Sequence, residues 1–125
     1  MSLICCFSYF SDSRRPVCEC GSHIVNSRSR MGMLNDPARN STFISGLKPL
    51  INKDTVCLII SDGSMLGHMA AMMGAKAVYS LQCDTITYNL MKRYKDCNKN
   101  TQNLHIINKH VQDLTEEDLS GNKVM

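Results

Sequence analysis

Residues Val56 to Gly67 read V-C-L-I-I-S-D-G-S-M-L-G. Val56–Ile60 is apolar at every position, as a strand covered on both faces of a parallel sheet should be. The run breaks into the turn Ser61-Asp62-Gly63-Ser64. Met65–Met73 then reads as a helix, with Gly74 as its C-terminal cap. Strand, tight turn and helix together outline a nucleotide-cofactor cradle. Such a cradle needs glycines, because only a residue without Cβ lets the backbone turn sharply and approach a ligand closely. Here only Gly63 and Gly67 remain, so the same residues indicate a cofactor fold and an impaired cofactor site.

On either side, helices and strands alternate. Upstream, Asp36-Pro37 is a helix start: Asp caps free N–H groups, and Pro fits the first turn, where its missing N–H is no loss. Phe43, Leu47 and Leu50, with Ile44 and Ile51, follow helical spacing and predict a buried stripe, with Pro49 ending or kinking the helix. Downstream, Ala77–Leu81 is a second strand. Asp84 caps a helix in which Ile86, Leu90 and Tyr94 share a face, with Lys92, Arg93 and Lys95 largely off it. Leu104–Asn108 is a third strand, and Thr115-Glu116-Glu117-Asp118 resembles a capping box with Asp in place of Glu or Gln. This order predicts a right-handed parallel βαβαβ unit, half of a doubly wound α/β sheet, over residues 33–125. Residues 1–32 differ in character, reading as a strand and then an irregular linker with four of the cysteines.

Composition narrows the class. Of the 125 residues, 43% are hydrophobic and 20% charged, as in a folded globular chain. The net charge of +3 is small and the basic residues are scattered, so nothing calls for nucleic acid. No apolar run approaches the ~20 residues that span a bilayer. Seven cysteines, at 5, 6, 18, 20, 57, 83 and 97, are an odd count, and Cys57 sits within a strand. With no secretory leader in the N-terminal Leu3–Phe7 run, the expectation is a reducing setting, cytoplasmic or nuclear.

Five stretches in register resemble the protein arginine N-methyltransferases, in particular the second, degenerate module of the type III enzymes, which carry two tandem modules. They are R-P-V-C-E-C-G-S-H from Arg15, M-L-N-D-P-A-R-N from Met33, V-C-L-I-I-S-D-G-S-M-L from Val56, Y-N-L-M-K-R from Tyr88 and I-I-N-K from Ile106. The resemblance implies a partial Rossmann-like methyltransferase fold. It also implies a parent that moves a methyl group from S-adenosylmethionine to protein arginines, giving ω-monomethylarginine.

For this chain the resemblance implies a non-catalytic module acting as partner to the catalytic N-terminal module, in cis or in trans. Arg39 matches the family arginine that pairs with the cofactor carboxylate; the alternative is an ordinary helix arginine. Asp62 and Gly63 match the glycine loop, whose G-x-G-x-G pattern is broken; the alternative is a plain turn in which Ser64 or Asp62 caps the helix. Gln82 stands where active modules place a ribose-binding acid, and Arg30 replaces a family histidine. The substrate-binding glutamates lie, in the family, on a strand beyond the third, so no catalytic residue is assigned here. Cys18, Cys20 and His23 can supply three ligands of a tetrahedral zinc site. The family's inter-module zinc site strengthens that reading, and unliganded linker cysteines are the alternative. His68, His105 and His110 read as structural or solvated, and Met65, Met69, Met72 and Met73 as core filling. Two other functions stay open: a small module that binds S-adenosylmethionine through Arg39 and the Asp62–Ser64 turn, and a zinc-dependent interaction module.

Overall fold

The computed structural model describes residues 32–60 and 63–122. In chain order these form α1 (Pro37–Leu47), β1 (Val56–Ile60), α2 (Leu66–Met72), β2 (Ala77–Leu81), α3 (Thr85–Cys97) and β3 (Leu104–Ile107). Two 3-10 turns follow, at Val111–Asp113 and Glu117–Leu119. The strands make one parallel sheet in the order β1-β2-β3, with Val56 opposite Ala77 and Val78 opposite Leu104. The expected βαβαβ unit is therefore present.

Local chemistry explains the boundaries. The Asp36 Oδ1 accepts from the N–H groups of Ala38 (2.9 Å) and Arg39 (3.2 Å), and Pro37 opens α1. The helix stops at Leu47, two residues before Pro49. Asp84 Oδ2 accepts from the Thr87 N–H at 2.7 Å to open α3. At the end of α2 the Gly74 N–H reaches the Ala71 carbonyl and the Ala75 N–H the Ala70 carbonyl. These paired bonds need a left-handed residue between them, and Gly74 supplies it at φ 91°. Asn103 donates its side-chain N–H to the Ala71 and Ala75 carbonyls, tying that helix end to the start of β3.

The core lies between the sheet and its helices. Cys57, Ile59, Val78, Leu104 and Ile106 face Ala70, Ala71 and Ala75. On the opposite face the 3-10 segment crosses β2. Tyr79 donates its hydroxyl to the Leu119 carbonyl at 2.9 Å and accepts from Asn122 Nδ2 at 2.9 Å. The His105 ring stacks on Tyr79, with centroids 5.1 Å apart.

Three burial expectations, for β1, α1 and α2, are corrected. β1 is not covered on both faces: none of its residues is fully buried and Ile60 is 58% exposed, whereas all five residues of β2 are buried. Among the described strands β1 pairs only with β2, so the middle position belongs to β2. α1 buries no residue, and Phe43, Ile44 and Leu50 are exposed although their spacing is amphipathic, because little of the described chain packs on that helix. α2 buries Gly67, His68, Ala70 and Ala71 rather than its methionines, and Met72 is exposed. On α3 the buried residues are Thr87 and Met91, one position on from Ile86 and Leu90. In α2 the small residues Gly67, Ala70 and Ala71 let the helix lie close on the sheet.

Candidate functional site

The β1–α2 turn and the end of β2 meet at the C-terminal edge of the sheet, where ligands bind in open α/β folds. Gly63 is buried and held at φ 65°, in the left-handed region that a side chain disfavours. The Gly63 N–H donates to Gln82 Oε1 at 2.7 Å. Gln82 follows β2, is 0% exposed, and its Nε2 donates to Ser80 Oγ at 3.0 Å. Its backbone N–H donates to the Ile107 carbonyl at 2.8 Å, so main chain and side chain together tie β1, β2 and β3 at this end. A carboxamide suits this position because it is neutral and offers an acceptor at one end and a donor at the other. A carboxylate buried there would carry a desolvated charge.

Gly67 completes the contact. A Cβ on it would stand 3.4 Å from both Leu104 Cδ1 and Ser80 Cβ, so the first turn of α2 lies directly on β2 and β3. Ser64 Oγ accepts from the Leu66 N–H at 3.2 Å, a bond made from the residue before the cap; the N-cap position itself is Met65, with no side-chain cap bond, where Ser64 or Asp62 was expected.

Of the residues picked from sequence, the structure brings Gly63 and Gln82 together. Arg39 is engaged on α1, its guanidinium 4.6 Å from the centroid of the Phe43 ring. Asp62 lies outside the described residues, as do Cys18, Cys20, His23 and Arg30. Among the described residues no group of three His, Cys, Asp or Glu is placed to hold a metal, and no helix is long and apolar enough to cross a membrane. Of the described cysteines, Cys57 and Cys97 are free thiols, and burial pushes the Cys57 thiol up.

Sequence reasoning missed Ser80 as the partner of Gln82, since an alternating strand position carries no mark of what faces it. His68, read from sequence as structural or solvated, is buried on α2. That ring is 4% exposed, neither nitrogen has a hydrogen-bond partner among the described residues, and it meets Tyr94 edge-on at 6.4 Å. Burial lowers its pKa below the ordinary histidine value. The His105 pKa is also lowered, by burial and then by the Lys95 charge.

No family model matches the sequence. Protein arginine N-methyltransferase 7 of Bos taurus is 36% identical over 110 residues, which is 88% of this chain and 16% of that protein. The Mus musculus protein of the same name is 37% identical over 110 residues. That of Aedes aegypti is 37% identical over 100 residues, 80% of this chain and 14% of its own length. The chain thus spans only about a sixth of these relatives. Two solved structures share the fold. The open conformation of Arabidopsis thaliana protein arginine methyltransferase 10 superposes with a TM-score of 0.61 at 18% identity, covering 74% of this chain and 27% of that one. The Trypanosoma brucei PRMT1 enzyme–prozyme heterotetrameric complex with AdoHcy gives 0.61 at 20% identity, covering 74% and 30%.

Proposed function

The chain belongs to the protein arginine N-methyltransferase family, and from that premise we propose that it is a methyltransferase-like module that transfers no methyl group itself and serves as the structural partner of a catalytic methyltransferase module. On this reading the parent protein uses S-adenosylmethionine to monomethylate protein arginines in the cytoplasm or nucleus, and the catalytic module is supplied in cis or in trans. The described residues do not fit the adenosyl cofactor. A nucleotide-binding fold of this type places a side chain at the end of its second strand on the ribose hydroxyls. Gln82 stands there instead as a neutral, fully buried carboxamide bonded to Gly63 and Ser80. That single observation carries the proposal, and the broken glycine pattern agrees with it. The enzyme–prozyme pairing in the name of the Trypanosoma neighbour supports a partner role.

The test is calorimetric titration of S-adenosylmethionine into the folded chain, followed by titration of the first methyltransferase module of a protein arginine N-methyltransferase 7. The proposal expects no heat from the cofactor and saturable binding of the module. One-to-one cofactor binding, lost in Arg39→Ala, would replace this reading with a cofactor-holding module. Failure to bind the catalytic module would remove the partner role.

A further inference from the structure

We infer that the Gln82 carboxamide is an internal substitute for ligand: it holds the β1–α2 turn against the end of β2 whether or not a nucleotide is present. The inference rests on the reading of this edge as a former cofactor cradle. In such a cradle the turn's backbone faces the ligand, and a carboxylate at the end of the second strand takes the ribose hydroxyls. Ligand and carboxylate thus share the task of joining turn to strand. Here the join is made within the chain.

Three features support it. The Gly63 N–H, which the left-handed turn directs inward, is taken up by Gln82 Oε1 at 2.7 Å. The other end of the same carboxamide is held by Ser80 Oγ at 3.0 Å, so the side chain is fixed at both ends. Ser80 in turn lies beneath Gly67, where a Cβ would come within 3.4 Å of Ser80 Cβ, so turn, helix and strand interlock around one buried side chain. An acid suits this place less well at neutral pH, because burial opposes its charge. The neutral amide avoids that cost, and it joins Gly63 to the end of β2 within the chain.

The test is residue-resolved amide exchange on the full chain, with and without S-adenosylhomocysteine, expressed as protection factors so that intrinsic pH effects cancel. The Gly63 amide should be protected without ligand and unchanged by it. Gln82→Ala should lower that protection roughly tenfold, the equivalent of about one lost hydrogen bond, while the Val78 and Tyr79 amides of β2 keep theirs. Gln82→Met supplies a second variant: it fills a similar volume but offers no amide oxygen, so protection at Gly63 should fall as it does in Gln82→Ala. An unprotected Gly63 amide in the native chain would overturn the inference, as would a Gln82→Met variant that keeps native protection at Gly63. If the native chain binds S-adenosylhomocysteine while Gly63 stays protected through Gln82, the cofactor-free function fails and the internal join stands. If the chain binds no cofactor and Gly63 exchanges freely, the join fails and the function stands.

Discussion

Replacing His68 by Leu should stabilise the protein, although it removes a fully buried side chain. His68 is 4% exposed and both ring nitrogens lack hydrogen-bond partners among the described residues. An unsatisfied buried polar group costs about 1–3 kcal/mol. Leu removes that cost and is the better helix former by a few tenths of a kcal/mol. Against this stands the lost edge contact with Tyr94, worth about 0.5–1.5 kcal/mol. The net expectation at pH 7.5 is about 1 kcal/mol of added stability. The pH dependence is sharper. Burial lowers the folded-state pKa of His68 below its ordinary 6.5, so on acidification the unfolded chain takes up the proton first. Native stability is therefore lost as pH falls below that value, by up to about 1.4 kcal/mol per unit, and His68→Leu abolishes this loss. Lowering the pH from about 7.5 to 5.5 should widen the gap between variant and native chain, by at most about 1.4 kcal/mol. The pKa of His105 is lowered too, but that residue is common to both proteins and cancels in the difference. Urea unfolding followed by far-ultraviolet circular dichroism at the two pH values measures it. A variant less stable at both, with a constant gap, would show that the imidazole is hydrogen-bonded in the native state and refute the reasoning.

Gly67→Ala should be close to neutral in thermal unfolding, its Cβ fitting at 3.4 Å from Leu104 and Ser80, whereas Gly67→Val should cost about 1–3 kcal/mol through overpacking. Asn103→Ala should cost about 1–2 kcal/mol in urea unfolding, because two carbonyls of the α2 end lose their donor. Lys109 and Thr115 hold the Asp118 carboxyl down to about 2. Its contribution is therefore present above about pH 4 and disappears as pH falls through about 2, and an acid titration of stability should lose that limb in Asp118→Asn. Ile60→Lys should leave the unfolding midpoint within about 0.5 kcal/mol of native, since the residue is 58% exposed, and should lower concentration-dependent light scattering by charging the β1 edge.

Several elements were legible because their causes are local. The Asp36 and Asp84 caps, the left-handed Gly74 and the helix end before Pro49 depend on residues within one turn of chain. The apolar run Val56–Ile60 marks a strand for the same reason. Burial was less legible. Amphipathic spacing in α1 says which face could be covered, not whether anything covers it, and its Phe43 and Ile44 are exposed. In α3 the seam runs through Thr87 and Met91, since the angle at which a helix lies on a sheet is set by the neighbours it meets. Gln82 was singled out from its position in the motif. Its partners, 19 residues back at Gly63 and across the strand at Ser80, belong to the packing.

The amino-acid order alone therefore determined the sequence of strands and helices, their caps, the parallel connectivity and the family resemblance, because each rests on short-range sterics, hydrogen bonding or residue pattern. Tertiary structure decided that β2 rather than β1 is the buried centre, that His68 is enclosed without a hydrogen-bond partner among the described residues, and that the Gln82 amide turns inward to bond Gly63. The physical reason is that desolvation and hydrogen-bond partnership are properties of the three-dimensional neighbourhood, and residues distant in sequence supply that neighbourhood only once the chain has closed around them.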